Sequence, residues 1–234
     1  NVLCYTVTNF TDDGGTVEGE CGTLVRESPE QSIMADFAYM LVYEKRFQGA
    51  VVMAHNGGGY DNRFLYKKLL ERKHHMTKVW ANGRLYSVQV ARNRISLRDS
   101  YLHMSAPLSQ LPAMWGLPEA TKKGDFPHLF NTHENLDYVG PMPPLAMWQP
   151  GFKSIKGKAA IERWYAECIA SGYVWDNRKE LVDYCMMDVQ ILRDSLLKYR
   201  ALFLESLEVD PLAFVTLSSC VMATFQSRFL QANQ

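Results

Sequence analysis

The chain has 234 residues, of which 47% are hydrophobic and 21% are charged, so it can bury a sizeable core and is not intrinsically disordered. Its 25 Lys and Arg residues are balanced by 25 Asp and Glu residues, so overall charge does not indicate a nucleic-acid partner and any such surface has to be local. No apolar run approaches the roughly 20 residues that cross a bilayer, so we expect no membrane partner.

The five cysteines are odd in number and lack CxxC or any other metal-ligand spacing, so we predict buried, reduced thiols in an intracellular protein. They are Cys4, Cys21, Cys168, Cys185 and Cys220. The first residues already have a strand pattern, without the basic and then apolar pattern of a signal peptide. We therefore expect the chain to begin inside a longer protein.

The first half of the chain alternates predicted strands and helices. Strands are predicted at residues 3–9, 22–25, 50–54, 78–80, 85–90 and 94–98, and helices at 29–47 and 62–73. The first two strands flank a turn and predict a hairpin. Residues 50–54 are wholly apolar, which predicts a central strand buried on both faces. This order of elements predicts an α/β layered domain.

The second half is mainly helical after an irregular stretch. A short helix is predicted at 107–115, and longer helices at 159–171, 177–204 and 212–230. Between residues 119 and 158 five prolines interrupt any regular element. A loop of that length inside a compact domain indicates a functional segment or an insertion.

Asp61 follows the apolar run at 50–54 and three consecutive glycines. A carboxylate at the carboxyl end of a strand is well placed to hold a metal ion in an open α/β sheet, and glycines let the backbone approach a ligand closely. The alternative is that Asp61 only caps the helix that begins at Asn62.

Tyr184 and Asp188 are four residues apart in a predicted helix, so they share one face about one turn apart. Asp188 adjoins the apolar stripe of that helix, where a carboxylate needs a hydrogen bond, a cation or a metal ion. The alternative is a partly exposed Asp188 paired with Arg193 or Lys198.

Together these segments resemble a known pattern. His-Asn-x3-Tyr-Asp-x2-Phe at residues 55–64 resembles the second exonuclease motif of family B DNA polymerases, and Tyr-x3-Asp at 184–188 resembles the third. Residues 98–108 and 123–125 resemble segments with which protein-primed members hold single-stranded DNA. Residues 123–131 and Tyr184-Cys185 resemble the polymerases of Maverick/Polinton-type elements and their viral relatives. From Leu3 to about Leu230, the chain thus resembles the 3′–5′ exonuclease region of a protein-primed family B DNA polymerase.

The resemblance implies a ribonuclease H-like exonuclease fold, a mixed sheet flanked by helices, over residues 1–204, with the start of a polymerase palm at 205–234. In that family two Mg²⁺ (or Mn²⁺) ions are held by four acidic residues and hydrolyse the phosphodiester bond. Asp61 and Asp188 match two of these acids. Tyr184 matches the tyrosine that binds the attacking water or the scissile phosphate.

The resemblance also implies the DNA contacts. Asn56 and Tyr60 match residues that touch the last nucleotides of the trimmed strand, and Phe64 supports them. Ser100 and Lys123 match positions that hold the single strand. Lys123 would supply charge to a phosphate, and Tyr60 a ring for a base. The implied partners are a single-stranded DNA 3′ end, primer–template DNA and, for the parent polymerase, a terminal priming protein.

One part of the family pattern is absent. The other two acids come as Asp-x-Glu on the first strand of the sheet, and this chain contains no Asp-x-Glu; Glu18-Gly19-Glu20, in the hairpin, is the nearest match. We therefore expect the first strand to be missing and to be supplied by another segment or chain. Two carboxylates rarely hold two Mg²⁺ ions, so the chain alone should have little or no exonuclease activity.

Two other functions stay open. A catalytically dead module that binds nucleic acid or protein would explain the missing Asp-x-Glu, although Asp61 and Asp188 are retained. A stand-alone exonuclease or ribonuclease of the same fold is disfavoured by the palm-like tail and by residues 123–131.

Overall fold

The computed structural model describes residues 2–11, 15–28, 30–118, 121 and 124–230. The chain divides into two compact units, and each is described by itself. The sheet unit comprises Leu24–Thr121 and Gln190–Gln234, and the aromatic unit comprises Val2–Thr23 and Lys122–Val189. The predicted division between residues 204 and 205 concerns the family's domains and stays a prediction.

The elements follow the predicted order, with two short strands, Val139–Gly140 and Trp175–Asp176, that the sequence did not predict. The strands are β1 Val2–Phe10, β2 Thr16–Val25, β3 Val51–Ala54, β4 Met76–Ala81, β5 Arg84–Val90, β6 Ile95–Asp99, β7 Val139–Gly140 and β8 Trp175–Asp176. The helices are α1 Ile33–Tyr43, α2 Asp61–Glu71, α3 Leu111–Met114, α4 Ile155–Ala170, α5 Asn177–Leu207 and α6 Leu217–Phe229. Residues 177–189 of α5 belong to the aromatic unit and its later residues to the sheet unit.

The last helix begins at Leu217, five residues later than predicted. Pro211–Ala213 forms a 3-10 turn, and the Asp210 carboxylate accepts a hydrogen bond from the Leu212 amide at 2.9 Å. Thr216 then caps α6, because its Oγ1 accepts a hydrogen bond from the Ser219 amide at 3.0 Å. Local turn and capping chemistry therefore displaces the helix start.

The sheet unit contains a four-stranded mixed sheet in the order β3-β6-β5-β4. β3 and β6 are parallel, with Ala54 opposite Asp99, and the other pairs are antiparallel. Val88 and Leu97 are completely buried in this sheet. The predicted α/β class is confirmed: a mixed sheet flanked by helices is consistent with a ribonuclease H-like exonuclease fold.

The prediction that residues 50–54 form a central strand is wrong for the described sheet. β3 lies at one edge, with β6 as its neighbour. Val51 is 43% exposed and the other three residues are half-buried. An apolar run indicates that both faces of a strand are covered, but not whether both of its edges pair with other strands. The sequence therefore did not distinguish a central strand from an edge strand.

The predicted hairpin is confirmed as a separate two-stranded sheet of β1 and β2. The Tyr5 hydroxyl donates a hydrogen bond to the Glu20 carboxylate at 3.2 Å, and the Tyr5 ring packs over Gly22. Glu18-Gly19-Glu20 therefore lies on β2, outside the four-stranded sheet.

The irregular stretch at 119–158 contributes to the core of the aromatic unit. Trp148, in a 3-10 turn at Leu145–Trp148, is 4% exposed, and its ring centroid lies 5.4 Å from that of Trp175. Trp175 is 1% exposed and also contacts Phe126 at 6.1 Å. Helix α4 adds Ile161 to the same cluster. The proline-rich stretch is thus ordered by aromatic packing together with turn and 3-10 hydrogen bonds, without a long helix or strand among its described residues before α4.

All five cysteines are free thiols. The prediction of buried thiols holds for Cys4 and Cys220, whereas Cys21 is exposed. In the part of the chain that the structure describes, no helix has the length and apolar character needed to span a membrane.

The connection from β3 to α2 passes tightly over β5. The Leu85 amide donates a hydrogen bond to the Gly58 carbonyl at 3.1 Å. A Cβ atom placed on Gly58 would lie 2.2 Å from the Leu85 carbonyl oxygen. Backbone cannot withdraw as a flexible side chain would, so this position requires glycine.

We expect Gly58→Ala to lower the free energy of unfolding by about 1–3 kcal/mol, because the new methyl group overpacks a backbone contact. Gly151→Ala is the matched control, since a Cβ there meets nothing within 4 Å. Urea denaturation monitored by circular dichroism measures both. Equal stability of the two variants would show that the β3–α2 connection relaxes without cost.

Candidate functional site

The β3–α2 connection and the first turn of α2 present the first group of predicted site residues. Asp61 is the first residue of α2, and Tyr60 occupies the N-cap position without a capping side-chain bond. The alternative role of Asp61 as the helix cap is therefore not observed. Asp61 and Tyr60 are both exposed, Tyr60 to 63%.

The Asp61 carboxyl group lies in an environment that disfavours its charge. The surrounding protein raises its pKa above the ordinary value, mainly because it displaces water from the carboxylate. A hydrogen bond from the backbone amide of Asp61 itself lowers the pKa in part, and the negative charge of Asp99 raises it. A bound cation would relieve both of the effects that raise it, so the raised pKa fits a metal ligand or a proton-binding group.

Asp99 is the buried acid behind this surface. It lies at the end of β6, is 0% exposed, and accepts hydrogen bonds from the Gly58 amide at 3.0 Å and the Tyr101 amide at 3.0 Å. Arg84 donates to the same carboxylate at 2.8 Å. Three donors therefore satisfy Asp99, so its role here is to hold the β3–α2 connection rather than to bind a ligand.

Arg84 links Asp99 to the exposed residues. Its guanidinium also donates to Asn56 Oδ1 at 2.7 Å, and Asn56 adopts a left-handed backbone conformation with φ 60°. The exposed rings of Tyr60 and Phe64 meet edge to face with centroids 5.0 Å apart. Asn56, Tyr60, Asp61 and Phe64 are thus brought to one end of the sheet, where β3 enters α2.

Ser100 lies beneath this surface and not on it. It is 0% exposed, and its hydroxyl is 3.0 Å from His55 Nδ1. His55 Nε2 donates to the Ala106 carbonyl at 2.8 Å, so in the neutral ring Nδ1 accepts from Ser100. In this conformation Ser100 positions the β3–α2 connection through His55, and direct contact with DNA stays a prediction.

Sequence reasoning missed the roles of Asp99, Arg84 and His55. Asp99 ends β6 just as Asp61 follows β3, and an acid after each of two predicted strands is the pattern that could have identified it. Arg84 follows the Asn82-Gly83 turn with no pattern that assigns it to an acid 15 residues away. Its partner becomes evident only when β5 pairs with β6.

The aromatic unit presents the second group of predicted site residues on α5. Tyr184 is half-buried, with its ring centroid 5.5 Å from those of Phe126 and His128. Asp188, one turn later, is also half-buried. The predicted helical spacing of Tyr184 and Asp188 is therefore observed, and the segment around Phe126 supports the tyrosine. Lys123 lies outside the described residues.

A metal site is not complete in either group. Among residues 2–11, 15–28, 30–118, 121 and 124–230, no three His, Cys, Asp or Glu side chains come together as metal ligands. Mg²⁺ prefers near-octahedral oxygen coordination and keeps several waters. Asp61 and Asp188 each fit as a single oxygen ligand, but the acidic residues described do not by themselves hold two ions.

The chain matches the family described as DNA polymerase type B, organellar and viral, over residues 46–234. It is 24% identical over 205 residues to a probable DNA polymerase of Neurospora intermedia, covering 82% of this chain and 20% of that protein. It is 28% identical over 142 residues to a probable DNA polymerase of Ascobolus immersus, covering 60% and 11%.

A probable DNA polymerase of Agaricus bitorquis is 24% identical over 197 residues, covering 82% of this chain and 24% of that protein. The chain thus spans about a quarter or less of the length of these relatives. No solved structure matches it. The family match extends over most of the chain, including both groups of site residues, and the chain belongs to the type B DNA polymerases of organelles and viruses.

Proposed function

We propose that this chain carries the proofreading 3′–5′ exonuclease region of a protein-primed type B DNA polymerase. The observation that carries the proposal is the surface formed by Asn56, Tyr60, Asp61 and Phe64, held from below by the buried Asp99 and its partner Arg84. Exposed aromatic rings beside a carboxylate suit a substrate that has bases to stack and a phosphate to cleave. The substrate would be the 3′ end of single-stranded DNA.

The proposed reaction is hydrolysis of the terminal phosphodiester bond. Water attacks phosphorus, the bond to the 3′ oxygen breaks, and that oxygen takes up a proton. Bound Mg²⁺ would activate the water and stabilise the leaving oxygen. Asp61 and Asp188 would supply carboxylate oxygens to the ions, and the Tyr184 hydroxyl would bind the water or the scissile phosphate. Tyr60 would stack on the terminal base, and Asn56, held by Arg84, would bind the neighbouring nucleotide.

The position of β3 at an edge of the described sheet supports the proposal that a further strand completes this site. An edge strand carries unpaired backbone donors and acceptors that can take another strand. We place the strand that bears Asp-x-Glu on this edge, because its acids would then lie near the end of β3 that leads to Asp61. The isolated chain would have little activity without it. In the parent protein, residues 205–234 would begin the palm, and primer–template DNA and the terminal protein would be further partners.

A second function, a binding module without catalysis, is favoured by one observation. The described residues do not assemble three metal-ligating side chains. In that case the aromatic surface would bind single-stranded DNA without cutting it. Trimming assays on this chain and on a completed chain separate the two functions.

We expect a chain extended at its amino end by a strand carrying Asp-x-Glu to trim labelled single-stranded DNA with Mg²⁺ or Mn²⁺, and the present chain to do so little or not at all. In the extended chain, Asp188→Ala should reduce the trimming rate by about 100-fold or more. Loss of a residue that only supports a metal ligand already costs about 10–100-fold, and loss of the ligand itself should cost at least as much. Gel analysis of the 3′ ends measures this.

Asp183→Ala in the extended chain is the control, since Asp183 is an exposed acid on the same helix that pairs with Lys179 at 2.7 Å. It should trim at the unmodified rate. Metal-dependent trimming by the present chain would contradict the predicted inactivity. Absence of trimming by every chain would favour the binding module.

A second prediction concerns the charge of Asp61. Because the pKa of Asp61 is raised, the folded protein binds this proton more tightly than the unfolded chain does. Ionised Asp61 therefore lowers the stability of the fold at pH values above its folded-state pKa. At pH values below its unfolded-state pKa the group is protonated in both states and has no such effect. Asp61→Asn should therefore raise the melting temperature near pH 7, and the gain should vanish near pH 4 and below.

Asp36→Asn is the control, because Asp36 occupies the first turn of α1 and accepts a hydrogen bond from Gln31 at 3.1 Å. It should not stabilise the protein. Differential scanning calorimetry across this pH range measures both variants. A lower melting temperature for Asp61→Asn at pH 7 would show that the helix N-terminus, and not the loss of water, dominates at this carboxylate.

A further inference from the structure

The positive charge of this chain is strongly segregated. Residues 62–98 contain ten Lys and Arg residues and a single acid, Glu71, although the whole chain has 25 of each sign. Residues 62–98 lie in α2, β4, β5 and β6 and the turns between them, all in the sheet unit, and are flanked by the acids Asp61 and Asp99. A net charge of zero therefore conceals a local basic surface, which is the electrostatic feature expected of a nucleic-acid contact.

One part of this surface combines the positive charge with stacked aromatic rings. Tyr39 and Tyr43, on α1, stack with centroids 4.6 Å apart and are 52% and 41% exposed. The Arg92 guanidinium lies 4.2 Å from the centroid of Tyr43, and that of Arg72 lies 5.9 Å from the centroid of Tyr39. We call these four residues the Tyr–Arg cluster.

The Tyr–Arg cluster lies at the opposite end of the sheet from Asp61. In the parallel pair, Ala54 and Asp99 mark the end of β3 and β6 that leads to Asp61. Arg92 precedes β6 at its other end, and Arg72 follows the last residue of α2. Since α2 has 11 residues, about 16 Å separates the two ends of this helix.

Basic side chains continue between the two ends. Arg63 and Lys67 are exposed on α2, and Arg63 lies 5.2 Å from the centroid of Trp80, a 47% exposed ring on β4. We call the surface from Tyr60 and Phe64 along α2 to the Tyr–Arg cluster the α2 track. A length of about 16 Å corresponds to roughly three to five nucleotides of a single strand.

The cluster's charge is available to an anion. Within the described residues, neither Arg72 nor Arg92 forms an ion pair with a carboxylate, and both guanidiniums lie against rings instead. The pKa of the neighbouring His74 is lowered, first by burial and then by the charges of Arg92 and Arg72. Repulsion among these groups is what a bound phosphate would relieve.

We propose that the α2 track is a second nucleic-acid contact, which holds single-stranded DNA by its phosphates at Arg72 and Arg92 and by base contacts at the exposed side of the Tyr39–Tyr43 stack. The exposed rings favour a single strand over a duplex, because paired bases do not offer their faces to side chains. This proposal rests on the proposed function in one respect: the DNA strand is taken to continue from the Tyr60–Asp61 surface.

The test is fluorescence anisotropy with labelled oligo-dT of about 12 nucleotides over a range of NaCl concentrations, without divalent ions and with EDTA. Arg72→Gln/Arg92→Gln should weaken binding at least tenfold at low salt. It should also reduce the slope of log K against log[salt] by about 1.4, which corresponds to two phosphate contacts with a single strand. Arg72→Lys/Arg92→Lys should keep the slope, and Tyr39→Leu/Tyr43→Leu should weaken binding about tenfold without changing it.

Lys156→Gln/Arg163→Gln is the control of equal charge change, since both residues are exposed on α4. It should keep the wild-type affinity and slope. The proposal is overturned if oligo-dT does not bind, if Arg72→Gln/Arg92→Gln binds like the wild type, or if the Lys variant loses the same slope. A duplex of equal length that binds more tightly through Arg72 and Arg92 would also overturn it in favour of a duplex surface. Since no metal is present, failure of the nuclease assay leaves these outcomes unaffected.

Discussion

The buried carboxylate of Asp99 is the constraint on which the sheet unit's candidate site depends. An ionised group with no exposed surface is costly unless its hydrogen-bonding capacity is filled, and here two backbone amides and Arg84 fill it. The Gly58 amide belongs to the loop that delivers Tyr60 and Asp61, and Arg84 also holds Asn56. One buried charge thus fixes the loop, positions an exposed amide, and makes the charge of Asp61 less favourable.

The same arrangement explains why stability and the proposed activity oppose each other at Asp61. A carboxylate that is partly stripped of water near another negative charge weakens the fold, and it is also the type of group that gains most from a bound cation. The buried Asp99 carboxylate is, by contrast, satisfied by three donors and has a structural role. Asp61 and Asp99 thus lie at the same end of the sheet but have different roles, because Asp99 is buried among hydrogen-bond donors and Asp61 is not.

The proposed contact with DNA is compatible with the zero net charge of the chain. The proposed function requires contact with DNA, whereas a net charge of zero does not suggest it. The segregation of ten basic residues into residues 62–98 reconciles the two, because phosphate binding depends on local potential and not on the sum over the chain. Cation–aromatic contacts hold Arg72 and Arg92 in place without neutralising them.

The sequence by itself determined the order and type of nearly all elements, the α/β class and the family, because hydrophobic periodicity, turn residues and short motifs are local properties of the chain. It placed Tyr184 and Asp188 one turn apart on α5 for the same reason. Only the tertiary structure decided that β3 is an edge strand, that Ser100 is buried beneath His55, and that Asp99 is held by Arg84. Each of these depends on which strands pair and which side chains meet across the sheet, and such long-range contacts leave no local pattern in the sequence.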